Sequence, residues 1–198
     1  MKRRMFFTAV LLMLVATVGM AQEHFYGMKA GRVKQKVSVM GQEQVSEAYF
    51  DDWGNIQGSI TQGQGAAGPV ELLTVKRGPK VTIVNLTEKE GISMSQAEGA
   101  EEVNYLNLTD AVIDKYQMLE LEEKQVILGH ECTGYNLVQE AQGPQLQVTA
   151  WVWNGIPLKS EMKMGGVTQV TEVLELEEVT EVPARFVTVP EDVKITEM

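Results

Sequence analysis

The chain has 198 residues, 44% of them hydrophobic, and 17 Lys and Arg against 27 Asp and Glu give it a formal net charge of −10. The apolar share excludes a wholly disordered chain, and the length suits one domain with a sizeable core rather than two large ones. The acidic balance excludes a nucleic-acid binder, because phosphates require a basic face.

Lys2, Arg3 and Arg4 precede an apolar run from Met5 to Val18, and Gly19, Met20 and Ala21 follow it. A basic start, a short apolar middle and small residues at the exit are the pattern of a secretory signal peptide. Cleavage is expected after Ala21, so that residues 1–21 are a leader and 22–198 form a single domain. The apolar run is short for a membrane span of ~20 residues. No later segment is apolar enough to cross a bilayer, so the expected product is exported from a bacterium, periplasmic or secreted, with no stable membrane span. Cys132 is the only cysteine, which excludes an intramolecular disulfide. Its place in an apparent strand predicts a buried, inert thiol.

From Val33 onward the hydropathy has a period near two: Val33, Gln35, Val37 and Val39 alternate with Lys34, Lys36 and Ser38. A second run, Gln44 to Phe50, ends in the turn cluster Asp51-Asp52-Trp53-Gly54-Asn55, and a third covers Ile56 to Thr61. The Gly-rich stretch from Gln62 to Pro69 predicts a flexible loop. It lacks the Lys-Ser/Thr ending of a phosphate loop, which excludes nucleotide binding there. Strands are expected at Val70–Lys76, Val81–Leu86 and Gly91–Ser95.

Next comes the clearest helix signal. Asn107 or Thr109 can cap it, Asp110 falls in its first turn, and Val112, Ile113, Tyr116 and Leu119 form one apolar stripe over about 109–118. Five further strands are expected at Glu123–Leu128, Cys132–Gln139, Gln145–Trp153, Leu158–Met164 and Val167–Val179. They are punctuated by Gly129-His130, Asn154-Gly155 and Gly165-Gly166. The tail from Pro183 reads as a short turn or helix and a closing extended piece. The whole is a mainly β (α+β) chain: about ten strands and one or two helices, in an antiparallel sheet wide enough to curl into an open half-barrel with helix on its concave side.

Little in this pattern carries chemistry. The two histidines, His24 and His130, have no zinc-site spacing, and no serine sits in a Gly-x-Ser-x-Gly turn. The carboxylate-rich stretches, such as Glu172, Glu175, Glu177 and Glu178, lack the ligand spacing of a calcium loop and fit a solvated strand face. No catalytic residue, metal or cofactor is therefore expected; an enzyme would have to be built around His130 and Cys132. The aromatics and methionines are more suggestive. Trp151 and Trp153 share one face of a strand, Met162 and Met164 share a face of the next, and Trp53 lies at a turn. Together with Val112, Ile113 and Tyr116 of the helix stripe, these are the candidate lining of a site for an apolar or lipid-like ligand. The same residues also suit an ordinary filled core.

Several stretches taken in order resemble a known group. They are Tyr49-Phe50-Asp51-Asp52-Trp53-Gly54, Gly129-His130-Glu131-Cys132-Thr133-Gly134-Tyr135, Trp151 through Lys159, Val182 through Phe186 and Val189 through Val193. They resemble exported bacterial domains of the LolA-like superfamily, the carriers that sort lipoproteins to the outer membrane. The resemblance implies an unclosed, strongly curved antiparallel barrel whose concave surface holds acyl chains. The function expected is that of an exported, non-enzymatic binder of an apolar or lipidated ligand, linked to lipid or lipoprotein handling in the cell envelope. The alternative is an envelope protein-interaction module of the same fold with a filled core and a protein partner.

Overall fold

In the computed structural model, which describes residues 24–65, 68–95, 103–139 and 145–198, every strand joins one sheet. The expected leader lies outside the described residues. The strands are β1 (Gly31–Val39), β2 (Gln42–Asp51), β3 (Ile56–Gly65), β4 (Gly68–Arg77), β5 (Lys80–Asn85), β6 (Glu90–Ser95), β7 (Leu119–Ile127), β8 (His130–Gln139), β9 (Leu146–Trp153), β10 (Ile156–Met164), β11 (Val167–Glu178) and β12 (Lys194–Glu197). Their spatial order is β12-β6-β5-β4-β3-β2-β1-β11-β10-β9-β8-β7. Neighbours are antiparallel except β12, which lies parallel to β6. The sheet is curved and does not close, an open half-barrel with twelve strands where about ten were expected.

Local chemistry explains the meander. Met40-Gly41, Leu128-Gly129, Asn154-Gly155 and Gly165-Gly166 each have two successive positive φ angles. This is the requirement of a two-residue I′ hairpin, whose twist matches that of the flanking strands. The Gly-rich stretch departs from expectation. Gln62 pairs with Glu71, Gln64 with Pro69 and Gly65 with Gly68, so the predicted loop is the far end of the β3–β4 hairpin. Glycine accepts extended backbone, and the ladder hydrogen bonds to β4 satisfy its polar groups.

Bulges bend the ribbon. The β1–β11 register shifts between Lys34 and Gln35. The β9–β10 register shifts between Pro157 and Lys159, leaving Leu158 as an extra residue, and that residue is fully buried. An extra residue in one strand locally increases twist and coils the sheet.

The predicted helix appears as α1 (Asp110–Lys115). Thr109 Oγ1 accepts from the Val112 N–H at 3.3 Å, Asp110 sits at the positive end of the helix and Lys115 at the negative end. The helix is shorter than the 109–118 expected because Gln117 takes a left-handed φ of 43°. A second helix, α2 (Ala184–Val187), follows Pro183.

Strand register shows that the helices lie on opposite faces. On one face, Tyr135, Ala150, Ser160, Thr171 and Val37 stand in line across five strands. α1 covers this face at β8 and β9, where Val112, Met118 and Leu137 form a core with Tyr135 and Val148. α2 covers the other face over β2, β3 and β4: Phe186 meets Tyr49 with ring centroids 4.4 Å apart. The chain after it packs Val189, Val193 and Ile195 on Leu73, Val75 and Val84. Elsewhere that second face carries ions. Glu172 is bridged by Lys36 at 3.2 Å and Lys159 at 3.4 Å, Glu175 by Lys34 at 2.7 Å, and Glu47 by Arg32. Glu172, Glu175 and Glu177 of the carboxylate run seen in the sequence are thus paired on a strand face.

Candidate functional site: a hollow on the inner face

Six strand spacings separate β5 from β10, roughly 29 Å if the sheet were flat. Yet Val81 of β5 and Ser160 of β10 line the same hollow. The curl therefore encloses the face that also bears α1, and makes it the inner one. The hollow measures ≈ 460 Å³, within the ordinary range for a small-molecule site.

Its walls differ in character. Val33, Ala48, Phe50, Ile156, Pro157 and Val173 form an apolar side supplied by β1, β2, β10 and β11. The facing β3–β4 hairpin is polar. Register sets Gln57 beside Lys76, and Ser59 beside Thr74, with all four on the hollow. The bottom of the apolar side is solid core, because Val33, Phe50 and Val173 continue into the cluster that contains Leu158 and Cys132.

The chain preceding β1 straps one end of the hollow. The N–H groups of Phe25 and Tyr26 both donate to the Trp53 carbonyl, at 2.9 and 3.0 Å, and Gly27 donates to the Asn154 carbonyl at 3.0 Å. The strap thereby ties the β2–β3 turn to the β9–β10 turn. Tyr26 packs edge-on against Phe50 at 4.8 Å and lines the hollow. The Phe25 ring lies 5.2 Å from the Lys76 ammonium. Trp53, in a left-handed conformation with φ 52°, is stacked under His24 at 4.2 Å.

A smaller cleft of ≈ 220 Å³ lies beside α1 on the same face, lined by Val103, Tyr105, Tyr116, Leu137, Leu146 and Val148. Burial, aided by the neighbouring Tyr135, pushes the Tyr105 phenol up to about 12.

The candidate residues separate into groups. Val112, Ile113 and Tyr116 belong to the α1 core, and Tyr116 reaches the smaller cleft. Met162 and Met164 stand opposite Val148 and Leu146, which puts them on the inner face next to that cleft. Trp151 and Trp153 alternate with Ala150 and Val152 and turn to the other side of β9, where both pack against the core of Val33, Phe50, Cys132, Ile156, Leu158 and Val173 that continues from the apolar side of the hollow. There Lys159 lies 5.7 Å from the Trp151 ring, and His130 stacks on Trp153 at 3.9 Å. The buried Trp151 Nε1 has no hydrogen-bond partner among the described residues. Trp53 sits at the strapped end. None of the eight lines the larger hollow.

The residues that do line it carried a faint signal. Val33 and Gln35, and Ala48 and Phe50, are alternate positions of strands recognised in the sequence. Their joining across the curl was not visible.

His130 and Cys132 form no nucleophile–base pair. The thiol contacts the His130 carbonyl at 3.5 Å while the imidazole is held on Trp153, and burial pushes the thiol up. Among the described residues no group of three or more His, Cys, Asp or Glu is arranged to hold a metal ion.

No family model matches the chain, and no curated protein matches it by sequence. Solved structures share its fold at low identity. An uncharacterized conserved protein from Thermus thermophilus superposes with a TM-score of 0.55 and 12% identity, over 86% of this chain and 91% of that one. PNGF-II, in one crystal form, gives a TM-score of 0.50 and 10% identity over 86% of this chain. The match spans about a third of PNGF-II, 32% of its length. Lipoprotein LppX from Mycobacterium tuberculosis aligns with a TM-score of 0.43 and 10% identity, over 79% of this chain and 91% of that one. The first two likenesses place the chain in a class of curved, open antiparallel sheets.

Proposed function

We propose that the protein is an exported, non-catalytic binder that holds an apolar or lipidated ligand on the inner face of its half-barrel, in the service of lipid or lipoprotein handling in the bacterial envelope. The observation that carries this reading is the ≈ 460 Å³ hollow with an apolar side built from Val33, Ala48, Phe50 and Val173. Each methylene taken from water into such a space contributes about 0.8 kcal/mol, so a chain of modest length supplies a useful affinity. The leader-like start of the sequence and the order of motifs shared with the LolA-like carriers support export and carriage. No described helix is long and apolar enough to cross a bilayer.

The test is to purify the protein, extract it with organic solvent, analyse the extract by mass spectrometry and titrate the stripped protein with a fluorescent fatty-acyl probe. A stoichiometric lipid in the extract, or saturable probe binding that Ala48→Phe abolishes without loss of fold, is the expected result. The absence of both a lipid in the extract and saturable probe binding would overturn the proposal in favour of a protein-interaction module.

A further inference from the structure

The hollow and the smaller cleft beside α1 share a boundary on the sheet. Ser160 of β10 lines the hollow, and Val148 of β9 lines the cleft. In the register Ser160 stands opposite Ala150, and Met162 stands opposite Val148. Ser160 and Val148 are therefore diagonal neighbours on one face of adjacent strands, a relation that places side chains about 7–8 Å apart. Met162, half-buried and next after Ser160 on that face, occupies the ground between the two spaces.

Both spaces offer hydrocarbon. The hollow has its apolar side at Val33, Phe50 and Val173. The cleft is walled by Val103, Leu137, Leu146 and Val148, with Tyr105 and Tyr116. The boundary is different, because it is polar without charge. Ser160 is directly opposite Thr171, which also lines the hollow, and Gln169 is directly opposite Met162. An unbranched hydrocarbon chain running from one space to the other would lie across two hydroxyls and an amide. Covering such groups without giving them a hydrogen bond costs free energy. Two chains that meet in a polar, uncharged linkage give each space a hydrocarbon occupant and the boundary a hydrogen-bonding one.

We infer that the ligand is a two-chain lipid, with one chain in the hollow, the second in the α1 cleft, and the ester linkage that joins them at Ser160 and Thr171. This rests on the reading of the hollow as a ligand site, and adds a second compartment and the chemical class of the ligand. Met162 lies under the branch, where an unbranched thioether side chain adapts to an irregular apolar shape.

Three glycerol esters test this by displacing a fluorescent fatty-acyl probe from the purified protein. They are dioctanoylglycerol, monooctanoylglycerol and monohexadecanoylglycerol, the last carrying as many acyl carbons as the first in a single chain. Burial of a second chain in the cleft is expected to favour dioctanoylglycerol over each of the other two by about tenfold or more. Leu146→Trp and Val148→Phe each fill the cleft. Either should bring dioctanoylglycerol down to the level of monooctanoylglycerol while leaving the latter unchanged, which also shows that the hollow is intact. Ser160→Ala combined with Thr171→Val should weaken dioctanoylglycerol by about fivefold or more. Equal or tighter binding of monohexadecanoylglycerol, or a dioctanoylglycerol preference that survives both cleft-filling variants, would overturn the two-chain assignment and leave the hollow standing. An unchanged affinity in the Ser160 and Thr171 double variant would overturn the placement of the linkage. Failure of the acyl probe and all three esters to bind would overturn this inference together with the reading of the hollow.

Discussion

Gly58 and Phe186 meet backbone to backbone: a Cβ placed on Gly58 would stand 1.8 Å from the Phe186 carbonyl oxygen. This contact seats α2 on the outer face of β3, and the Phe186 ring, 2% exposed, fills the space beside Tyr49. The hairpin that carries Gly58 outward carries Gln57 and Ser59 inward, so the seat of α2 and the polar wall of the hollow are two faces of one strand.

Gly58→Ala should therefore lift α2 and the chain beyond it. A loss of about 1–3 kcal/mol in urea denaturation is expected, the usual range for overpacking a filled site, together with faster proteolysis after Pro183. A wild-type urea midpoint and wild-type proteolysis would show that α2 is not held against β3.

Cys132 is fully buried, and its burial favours the neutral thiol. Because the thiolate is the reactive form, native protein should react with a thiol reagent far more slowly than protein in denaturant. Equally fast labelling in both conditions would contradict the closed packing around β8.

Acid should weaken the outer ion ladder. Hydrogen bonds from Lys36 and then Lys159 hold the Glu172 carboxyl below its ordinary 4.5, and Lys34 does the same for Glu175. A depressed folded-state pKa contributes stability that is present above the ordinary value and lost as the pH falls through the lower, folded one. The urea midpoint should consequently drop as the pH is taken below about 4.5, and Glu172→Gln should flatten that limb. An acid limb unchanged by the substitution would remove Glu172 from the account.

Alkali acts at the other cleft. The Tyr105 phenol, raised to about 12 from its ordinary 10.0, keeps its proton in the fold after an exposed tyrosine has lost it. The folded state is then favoured below the unfolded value, and that advantage disappears as the pH rises from 10 through about 12. Stability should decline across this window in wild type and less in Tyr105→Phe. Identical alkaline limbs would show that the Tyr105 side chain is solvated.

Much of this molecule is written locally. The period-two runs, the paired positive-φ turns such as Asn154-Gly155, and the Thr109 cap of α1 act over a few residues. They depend on backbone sterics and alternation, so the strands and the helix were legible from the residues alone. The stretch from Gln62 to Gly65 was not, because glycine is equally at home in loop and strand, and only pairing with β4 decides. The hollow was invisible for a deeper reason. It joins Val81 to Ser160 across a curl set by the bulges and by the strand order that puts β1 beside β11. Alternation says that Trp151 and Trp153 share a side, but not which side the sheet bends toward. That choice comes from long-range packing, in which the strap, α1 and α2 each cover the face that their own apolar residues can reach.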